Sequence, residues 1–347
     1  MLFSRNIITN CFKFKRKLYQ THKYSTEAKS HGLKVLFFGT DKFSLPSLKV
    51  LHKHNRSNDS LGVVTSFKSP ANCVRVYAEQ QKLPLHKWPI TPEHCQPFDL
   101  GVVVSFGHLI PTHIIEAFPL GMINLHASLL PRWRGAAPII YAIMNGDQET
   151  GVSIMRIEPK RFDVGDVFAQ QKVKIEPGVF MPELHKELSE KGADLLWQVI
   201  SGYPQSFENP MKQNDQEATH APKITPEIYE INWNNLTALQ VYNRYRALYS
   251  FKSLTSKFQQ KSIELLEITL PPQTPSSVNS SSSPGSLFYH NKRKCLRVQC
   301  ANNTFIEVHR LRIEGKKAMS AMDFNNGFLK KLQSNEMEFH YNKVVCC

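Results

Sequence analysis

The feature that most constrains the fold is an alternation of short apolar runs with helical stretches over residues 33–208. The apolar runs lack the period-two pattern of a half-exposed strand, so they predict a parallel sheet that helices cover on both faces. In such sheets, ligands bind at the carboxyl ends of the strands. The predicted strands are residues 34–38, 61–65, 100–104 and 122–125, and the predicted helices are residues 74–81, 111–117, 138–145 and 181–201.

The last third of the chain has a different pattern. A polar segment with three prolines, residues 209–226, precedes a predicted helix at 239–249, and strands then follow one another without intervening helices. This succession indicates a small antiparallel barrel, with the low-complexity residues 271–284 as a loop inside it. The predicted barrel strands are residues 262–269, 286–290, 295–300 and 304–311.

The length of 347 residues exceeds that of one typical domain, so two domains are expected. The patterns above divide the chain into a Rossmann-like α/β domain at residues 33–208, a linker at 209–226, a barrel domain at 227–335 and a tail at 336–347.

The positive charge lies at the two ends of the chain. Of the formal net charge of +14, the first thirty residues contribute seven Lys or Arg against Glu27 alone. Basic residues mixed with apolar ones at near-helical spacing, with Ser and Thr and almost no acid, are typical of a mitochondrial transit peptide. We predict such a peptide at residues 1–32 and a location in the mitochondrial matrix; the alternative is a basic tail without a targeting role.

Several classes of protein are excluded by what the sequence lacks. No run of about 18 uncharged apolar residues is present, which argues against a membrane span. The seven cysteines include no C-x-x-C pair, which argues against a zinc site or a disulfide framework and favours reduced thiols inside a cell. The segment after the first strand has no G-x-G-x-x-G motif, so nothing indicates a nicotinamide cofactor. We expect no metal.

Three residues carry the candidate chemistry. Asn124 and His126 are two apart on a predicted strand, so their side chains point to the same face near its carboxyl end. Asp163 lies on a tight turn before Gly165. Together they would supply an oxyanion donor, a group that titrates near neutral pH and a carboxylate that helps to remove an amine proton, as acyl transfer to an amine requires. Taken singly, Asn124 could cap a segment, His126 could be an ordinary hydrogen-bonded histidine, and Asp163 could form a turn.

The sequence resembles the methionyl-tRNA formyltransferases, most closely their mitochondrial members, and the resemblance covers nearly all of residues 33–328. Its most specific motif is SLLPRWRGAAP at residues 128–138. The other matching segments are FGTDKFSLP at 38–46, SFGHLIP at 105–111, GDQETGVSI at 146–154, FDVGD at 162–166, APKIT at 221–225 and GKKAMSAMDF at 315–324.

The resemblance implies an enzyme that takes a formyl group from 10-formyltetrahydrofolate and has an OB-like antiparallel β-barrel as its second domain. It implies that Asn124, His126 and Asp163 are the catalytic residues. Independently of the resemblance, no Ser or Cys lies on a nucleophile elbow, so direct transfer without a covalent enzyme intermediate is the simpler proposal. Trp133 would lie at the mouth of the site, close to the aminoacyl group. The residues implied to bind the folate are Phe106, Gly107, His108, Leu109, Ile110, Ser128, Leu129, Leu130, Pro131, Phe162, Val164 and Gly165.

The implied amine substrate is initiator methionyl-tRNA, bound by a monomer. The loop at residues 66–72 is shorter and less basic than the tRNA-binding loop of bacterial relatives, so basic residues of the barrel would supply most of the attraction. The residues expected to contact tRNA are Lys68, Arg132, Arg134, Lys292, Arg293, Lys294, Arg312, Lys316 and Lys317. Two alternatives remain open: a formyltransferase that acts on a small amine, and a tRNA-binding protein without catalysis.

Overall fold

The computed structural model describes residues 32–54, 60–272, 283–333 and 336–341. The predicted transit peptide, apart from Gly32, and most of the predicted loop at 271–284 lie outside the described residues. No described helix is long and apolar enough to cross a membrane.

The first sheet has seven strands in the order β3-β2-β1-β4-β5-β6-β7. Strands β1 to β5 are parallel to their neighbours, and β6 and β7 add antiparallel pairs at one edge. The sequence predicted β1, β2, β4 and β5 but not the other three. The bounds are β1 Val35–Phe38, β2 Leu61–Thr65, β3 Leu85–Lys87, β4 Leu100–Val104, β5 Met122–His126, β6 Glu149–Arg156 and β7 Val167–Lys174.

Helices cover both faces of this sheet, because consecutive apolar residues of a strand point to opposite sides. Val35 and Phe37 of β1 belong to one buried cluster, and Leu36 and Phe38 belong to another on the opposite face. Each of the two phenylalanines is fully buried, which contributes about 1.5–3 kcal/mol to stability. The helices of this part are α1 Leu45–His54, α2 Cys73–Gln80, α3 Thr112–Ile115, α4 Pro138–Asn145 and α5 Met181–Ser201.

The second sheet is antiparallel, in the order β10-β11-β12-β9-β8, with β13 paired to β12. Residues 338–340 bridge both of its edges: His340 pairs with Lys257 of β8, and Glu338 pairs with Ser286 beside β10. The chain therefore closes the barrel with residues that the sequence analysis assigned to a tail. The bounds are α6 Ala238–Leu248, β8 Leu254–Phe258, β9 Lys261–Thr269, β10 Leu287–His290, β11 Cys295–Gln299, β12 Phe305–Ile313, β13 Met319–Ser320 and α7 Ala321–Gly327.

The connecting segment, residues 209–226, pairs with one strand of the first sheet and with one of its loops. Met211 pairs with Val167 of β7, and His220 pairs with Arg134 of the loop after β5. Gly135 adopts a φ of 125°, and a Cβ there would lie 2.5 Å from the carbonyl oxygen of Ala221. Only glycine allows the two backbones to approach so closely.

Candidate active site

Strand β5 holds two of the three candidate catalytic residues. Its backbone pairs with β4 on one side and β6 on the other, which fixes the direction of each side chain. Asn124 and His126 share one face, roughly 6–7 Å apart along the strand. His126 is only 6% exposed, whereas Asn124 is half-buried. The Asn124 amide forms no hydrogen bond with any residue that the structure describes, so its donors are available to a bound substrate.

The two ring nitrogens of His126 have different partners. Nε2 lies 3.0 Å from the carbonyl oxygen of Trp133, so Nε2 carries the proton and donates it. Nδ1 lies 3.8 Å from Oδ1 of Asp163. This distance is too long for a direct hydrogen bond but short enough for the carboxylate to stabilise an imidazolium. Nδ1 is therefore the atom at which a proton can be exchanged.

Asp163 is held from two sides on the loop between β6 and β7. It adopts a φ of 53°, a left-handed conformation that Asp tolerates better than most residues. The backbone N–H of Gly135 donates to Oδ2 at 2.9 Å. The side-chain amide of Gln213, in the connecting segment, donates to the carbonyl oxygens of Asp163 and Gly165 at 3.0 and 2.8 Å. The unusual backbone conformation is thus fixed by its surroundings, as is common at functional sites.

Asp147 anchors the loop of residues 128–135 that follows β5. It accepts two hydrogen bonds from Arg132, at 2.8 and 2.6 Å, and one from the indole N–H of Trp133 at 2.8 Å. Burial alone would raise the pKa of this carboxyl, but the hydrogen bonds from Arg132, Asn145 and Trp133 together lower the pKa below its ordinary value. The ionised Asp147 therefore fixes Trp133, whose carbonyl oxygen orients His126.

A second network supports the other half of the same loop. The Ser153 hydroxyl donates to the carbonyl oxygen of Ser128 at 2.6 Å and accepts from the backbone N–H of Leu130 at 3.1 Å. Gln170 donates to both Ser153 and the carbonyl oxygen of Leu130, each at 2.9 Å. The loop shape is thus set by residues of β6 and β7.

The segments predicted to bind folate differ in exposure. Phe106, Ile110, Ser128, Leu130 and Gly165 are buried, and Leu129, Pro131 and Val164 are half-buried. Leu109 and Phe162 are 67% and 70% exposed, so each offers apolar area to a ligand. Gly107 and His108 are exposed as well.

The loop after β4 is fastened to the loop after β1. The Ser105 hydroxyl donates to Oδ2 of Asp41 at 2.5 Å, and the Thr40 hydroxyl donates to the carbonyl oxygens of Ser105 and Phe106. Asp41 also accepts from the backbone N–H groups of Phe43 and Ser44, just before α1. Two segments that carry the family resemblance, 38–46 and 105–111, thus meet at the carboxyl ends of adjacent strands.

The basic residues predicted to contact tRNA fall into two groups. Several are engaged within the protein: Arg132 with Asp147, Arg134 with Asp215 and Gln213, Arg293 with Glu307, and Arg312 with Glu264. Arg134 is also buried, so we do not propose it as a tRNA contact. The residues that are exposed and form no ion pair with any described residue are Lys68, Lys292, Lys294, Lys316 and Lys317.

The last four lysines lie at one end of the second sheet. Lys292 and Lys294 are in the turn between β10 and β11, and Lys316 and Lys317 follow β12. The start of β11 pairs with Val308, in the middle of β12, so the turn between β10 and β11 points toward the end of the sheet at which β12 ends.

The sequence analysis did not identify the residues that hold the three candidate catalytic side chains in place. Asp147, Gln170 and Gln213 belong to no recognisable catalytic motif. Thr219 belongs to none either, although its hydroxyl accepts a hydrogen bond from the backbone N–H of Trp133 at 2.9 Å. Asp147 and Ser153 lie in the segment 146–154, which carries the resemblance, but nothing in that resemblance assigns either of them a role. Within the described ranges, no group of three or more His, Cys, Asp or Glu residues is arranged to hold a metal ion.

Comparisons with known proteins identify the family and the fold. The family described as Formyl transferase matches residues 93–200, and the family described as Formyl transferase, C-terminal domain, matches residues 223–329. A solved structure, the N-formyltransferase from Helicobacter canadensis in complex with folinic acid and dTDP-3-aminofucose, has the same fold. It superimposes with a TM-score of 0.62 at 17% identity, over 80% of this chain and 98% of that one. Fold and site together define a formyltransferase.

Similar proteins show which formyltransferase family the chain belongs to. The mitochondrial methionyl-tRNA formyltransferase of Homo sapiens is 38% identical over 307 residues, which are 85% of this chain and 78% of the relative. The methionyl-tRNA formyltransferase of Finegoldia magna is 32% identical over 85% of this chain and 96% of its own length. The chain belongs to the methionyl-tRNA formyltransferase family.

Proposed function

We propose that this protein transfers the formyl group of 10-formyltetrahydrofolate to the α-amine of methionine esterified to initiator tRNA, in the mitochondrial matrix. The observation that carries the catalytic part is the His126–Asp163 pair beside the unpaired amide of Asn124. The family membership supports the two substrates, and the names of the mammalian relatives support the mitochondrial location. We further propose that the protein acts as a monomer.

The chemistry follows from the three side chains. The uncharged amine attacks the formyl carbon and forms a carbon–nitrogen bond, and the carbonyl oxygen becomes an oxyanion. The Asn124 amide donates to this oxyanion. The proton of the attacking amine passes to Nδ1 of His126, where Asp163 stabilises the resulting imidazolium. Cleavage of the bond between the formyl carbon and N10 of the folate then releases tetrahydrofolate, whose nitrogen takes a proton.

The folate is proposed to lie across the loops that carry Leu109 and Phe162. A flat heterocycle needs apolar area together with a few directed hydrogen bonds. The two exposed side chains offer the area, and the exposed turn at Gly107 and His108 offers backbone groups. No metal takes part in this proposal.

The proposed role of Asn124 is tested by Asn124→Ala in the full chain. Removing one oxyanion donor typically lowers turnover by about 100- to 1,000-fold, so the turnover number for Met-tRNA should fall by that factor while thermal unfolding is unchanged. The matched control is Asn326→Ala, which truncates an exposed asparagine of α7. An Asn124→Ala protein with wild-type turnover would contradict the proposed role.

The amine substrate is tested separately. Formyl transfer by the wild-type protein is measured with Met-tRNA, with glycinamide ribonucleotide and with a dTDP-linked amino sugar. We expect transfer to Met-tRNA alone. Transfer to one of the small amines in place of Met-tRNA would overturn the proposed substrate while leaving the proposed chemistry intact.

A further inference from the structure

A cavity of about 170 Å³ lies next to the catalytic loop, between α4 and α6. None of the catalytic or folate-binding candidates lines it. Pockets that enclose drug-sized ligands measure roughly 300–1,000 Å³, so this one has room for a single ring system rather than a whole folate. Its lining residues are Trp133, Tyr141, Met144, Asn145, Leu236, Gln240 and Arg244.

Helices α4 and α6 each line the cavity with residues from one face. Tyr141, Met144 and Asn145 are three and four residues apart on α4, and Gln240 and Arg244 are four apart on α6. The guanidinium of Arg246 fastens α6 to the first domain by donating to the carbonyl oxygen of Val179 at 2.7 Å. The walls of the cavity are therefore held at a fixed separation.

Arg244 is a half-buried cation without a balancing charge. Within the described part of the chain, its guanidinium makes one hydrogen bond, to the carbonyl oxygen of Glu230 at 3.3 Å, and no ion pair. Burial lowers the pKa of Arg244, while the nearby Tyr141 and Tyr341 act in the opposite direction. A partly desolvated cation with unused donors favours an anionic partner, and the planar fork of arginine suits phosphate.

Two aromatic side chains also line the cavity. The rings of Trp133 and Tyr141 lie 5.6 Å apart between centroids, at an angle of 38°, and both line the cavity. Exposed aromatic faces bind the unstacked bases of single-stranded nucleic acid, at about 1–3 kcal/mol per base. A stacking surface and a phosphate-binding cation thus face one small cavity.

Trp133 links this cavity to the catalytic centre. Its ring lines the cavity, its indole N–H donates to Asp147, and its carbonyl oxygen accepts from Nε2 of His126. A ligand in the cavity would therefore lie one residue away from the catalytic imidazole.

We propose that this cavity binds one nucleotide of the single-stranded 3′ end of the aminoacylated tRNA, with the base against Trp133 and Tyr141 and the phosphate on Arg244. The inference rests on the proposed function, because it names how the same site holds its amine substrate. The esterified methionine would then reach His126 over a short distance.

The test uses Arg244→Gln in the full chain, with Lys174→Gln as the control. Lys174 is exposed on β7, so the control removes one positive charge away from the cavity. We expect Arg244→Gln to raise the KM for Met-tRNA about tenfold with kcat changed less than about twofold, which corresponds to about 1.4 kcal/mol of binding. The control should match the wild type, and Arg244→Lys should recover part of the affinity.

A binding measurement separates this inference from the proposed function. Affinity is measured for uncharged tRNA with and without its three 3′-terminal nucleotides. Truncation should weaken binding to the wild type but not to Arg244→Gln. If truncation weakens both equally and the KM is unchanged, the inference is wrong even when formyl transfer is observed. If the wild type transfers no formyl group to Met-tRNA, the proposed function fails, and the truncation experiment still tests the cavity.

Discussion

The arrangement of His126 shows how much of this site depends on single atoms. Because Nε2 donates to a backbone carbonyl, the neutral ring has its lone pair on Nδ1, on the side of Asp163. The carboxylate can then respond to a proton that arrives on the ring. This division of roles requires both the Trp133 carbonyl and the bent backbone at Asp163.

At this scale we predict the effect of Asp163→Asn. The amide oxygen can still accept from Gly135, so the loop should keep its shape, but the negative charge that stabilises the imidazolium is lost. We expect turnover to fall by about 100- to 10,000-fold, the usual range for a general acid–base group, with little change in the melting temperature. Asp194→Asn, on the exposed side of α5, is the control. Wild-type turnover of Asp163→Asn would remove Asp163 from the mechanism.

A second residue-scale prediction concerns Asp147. Since its pKa is lowered in the folded state from an ordinary 3.8, its contribution to stability is complete above that value and declines as the pH falls toward the folded pKa. Asp147→Asn should therefore cost about 1–3 kcal/mol at neutral pH, through weaker bonds to Arg132 and Trp133. Urea unfolding at several pH values measures this difference. The lowered pKa would be contradicted if the difference in unfolding free energy between the wild type and Asp147→Asn grew below about pH 4.

At the scale of elements, the connecting segment does more than join two sheets. Gln213 bonds to both sides of the Asp163 turn and accepts from Arg134, and Thr219 and Ala221 bond to the loop after β5. The segment thus lies across two loops of the candidate site that are distant in sequence.

We predict that Gln213→Ala lowers kcat about tenfold and leaves the KM for Met-tRNA unchanged, because Gln213 positions Asp163 without touching tRNA. Gln216→Ala is the matched control, since Gln216 is exposed on the same segment and its side chain forms no hydrogen bond to any described residue. A purely structural role would lower the melting temperature and leave the kcat of the folded protein intact.

The sequence predicted the elements whose patterns are strong. Strands β1, β2, β4 and β5 are continuous apolar runs, and α5 was predicted at its observed bounds. Strand β7, by contrast, is an edge strand with mainly polar, half-exposed residues, and β3 has three residues, so neither has a pattern to detect. Asn124, His126 and Asp163 could be predicted as candidates because their chemistry and a resemblance single them out, and the structure places His126 beside Asp163. The contacts of Asp147 and Gln213 arise only from tertiary packing.

At the scale of the whole molecule, part of the positive charge of the barrel is neutralised by ion pairs inside the protein. Glu307 is fully buried and binds both Arg293 and Arg297, at 2.7 and 3.1 Å. These two arginines therefore stabilise the barrel rather than adding free positive charge. The lysines of the β10–β11 turn and of the segment after β12 form no ion pair with any described residue and remain free to bind a polyanion.

We predict that replacing Lys292, Lys294, Lys316 and Lys317 together by alanine weakens tRNA binding and flattens its dependence on salt, because each lost phosphate contact lowers the slope by about 0.7–0.9. The control removes Lys172, Lys174, Lys186 and Lys191, an equal charge on the first domain. Affinities measured over a range of salt concentrations distinguish the two variants. Equal slopes would show that general charge, not this end of the barrel, attracts the tRNA.

The close approach of Gly135 to Ala221 limits where this chain can be cut into two separate domains. A polypeptide cut after residue 208 would keep the three proposed catalytic side chains but lose Gln213, Thr219 and Ala221, which contact the loops of Asp163 and Trp133. The catalytic half is therefore not a self-sufficient module. Exchange of halves between relatives would succeed only when the crossover point falls beyond Ala221.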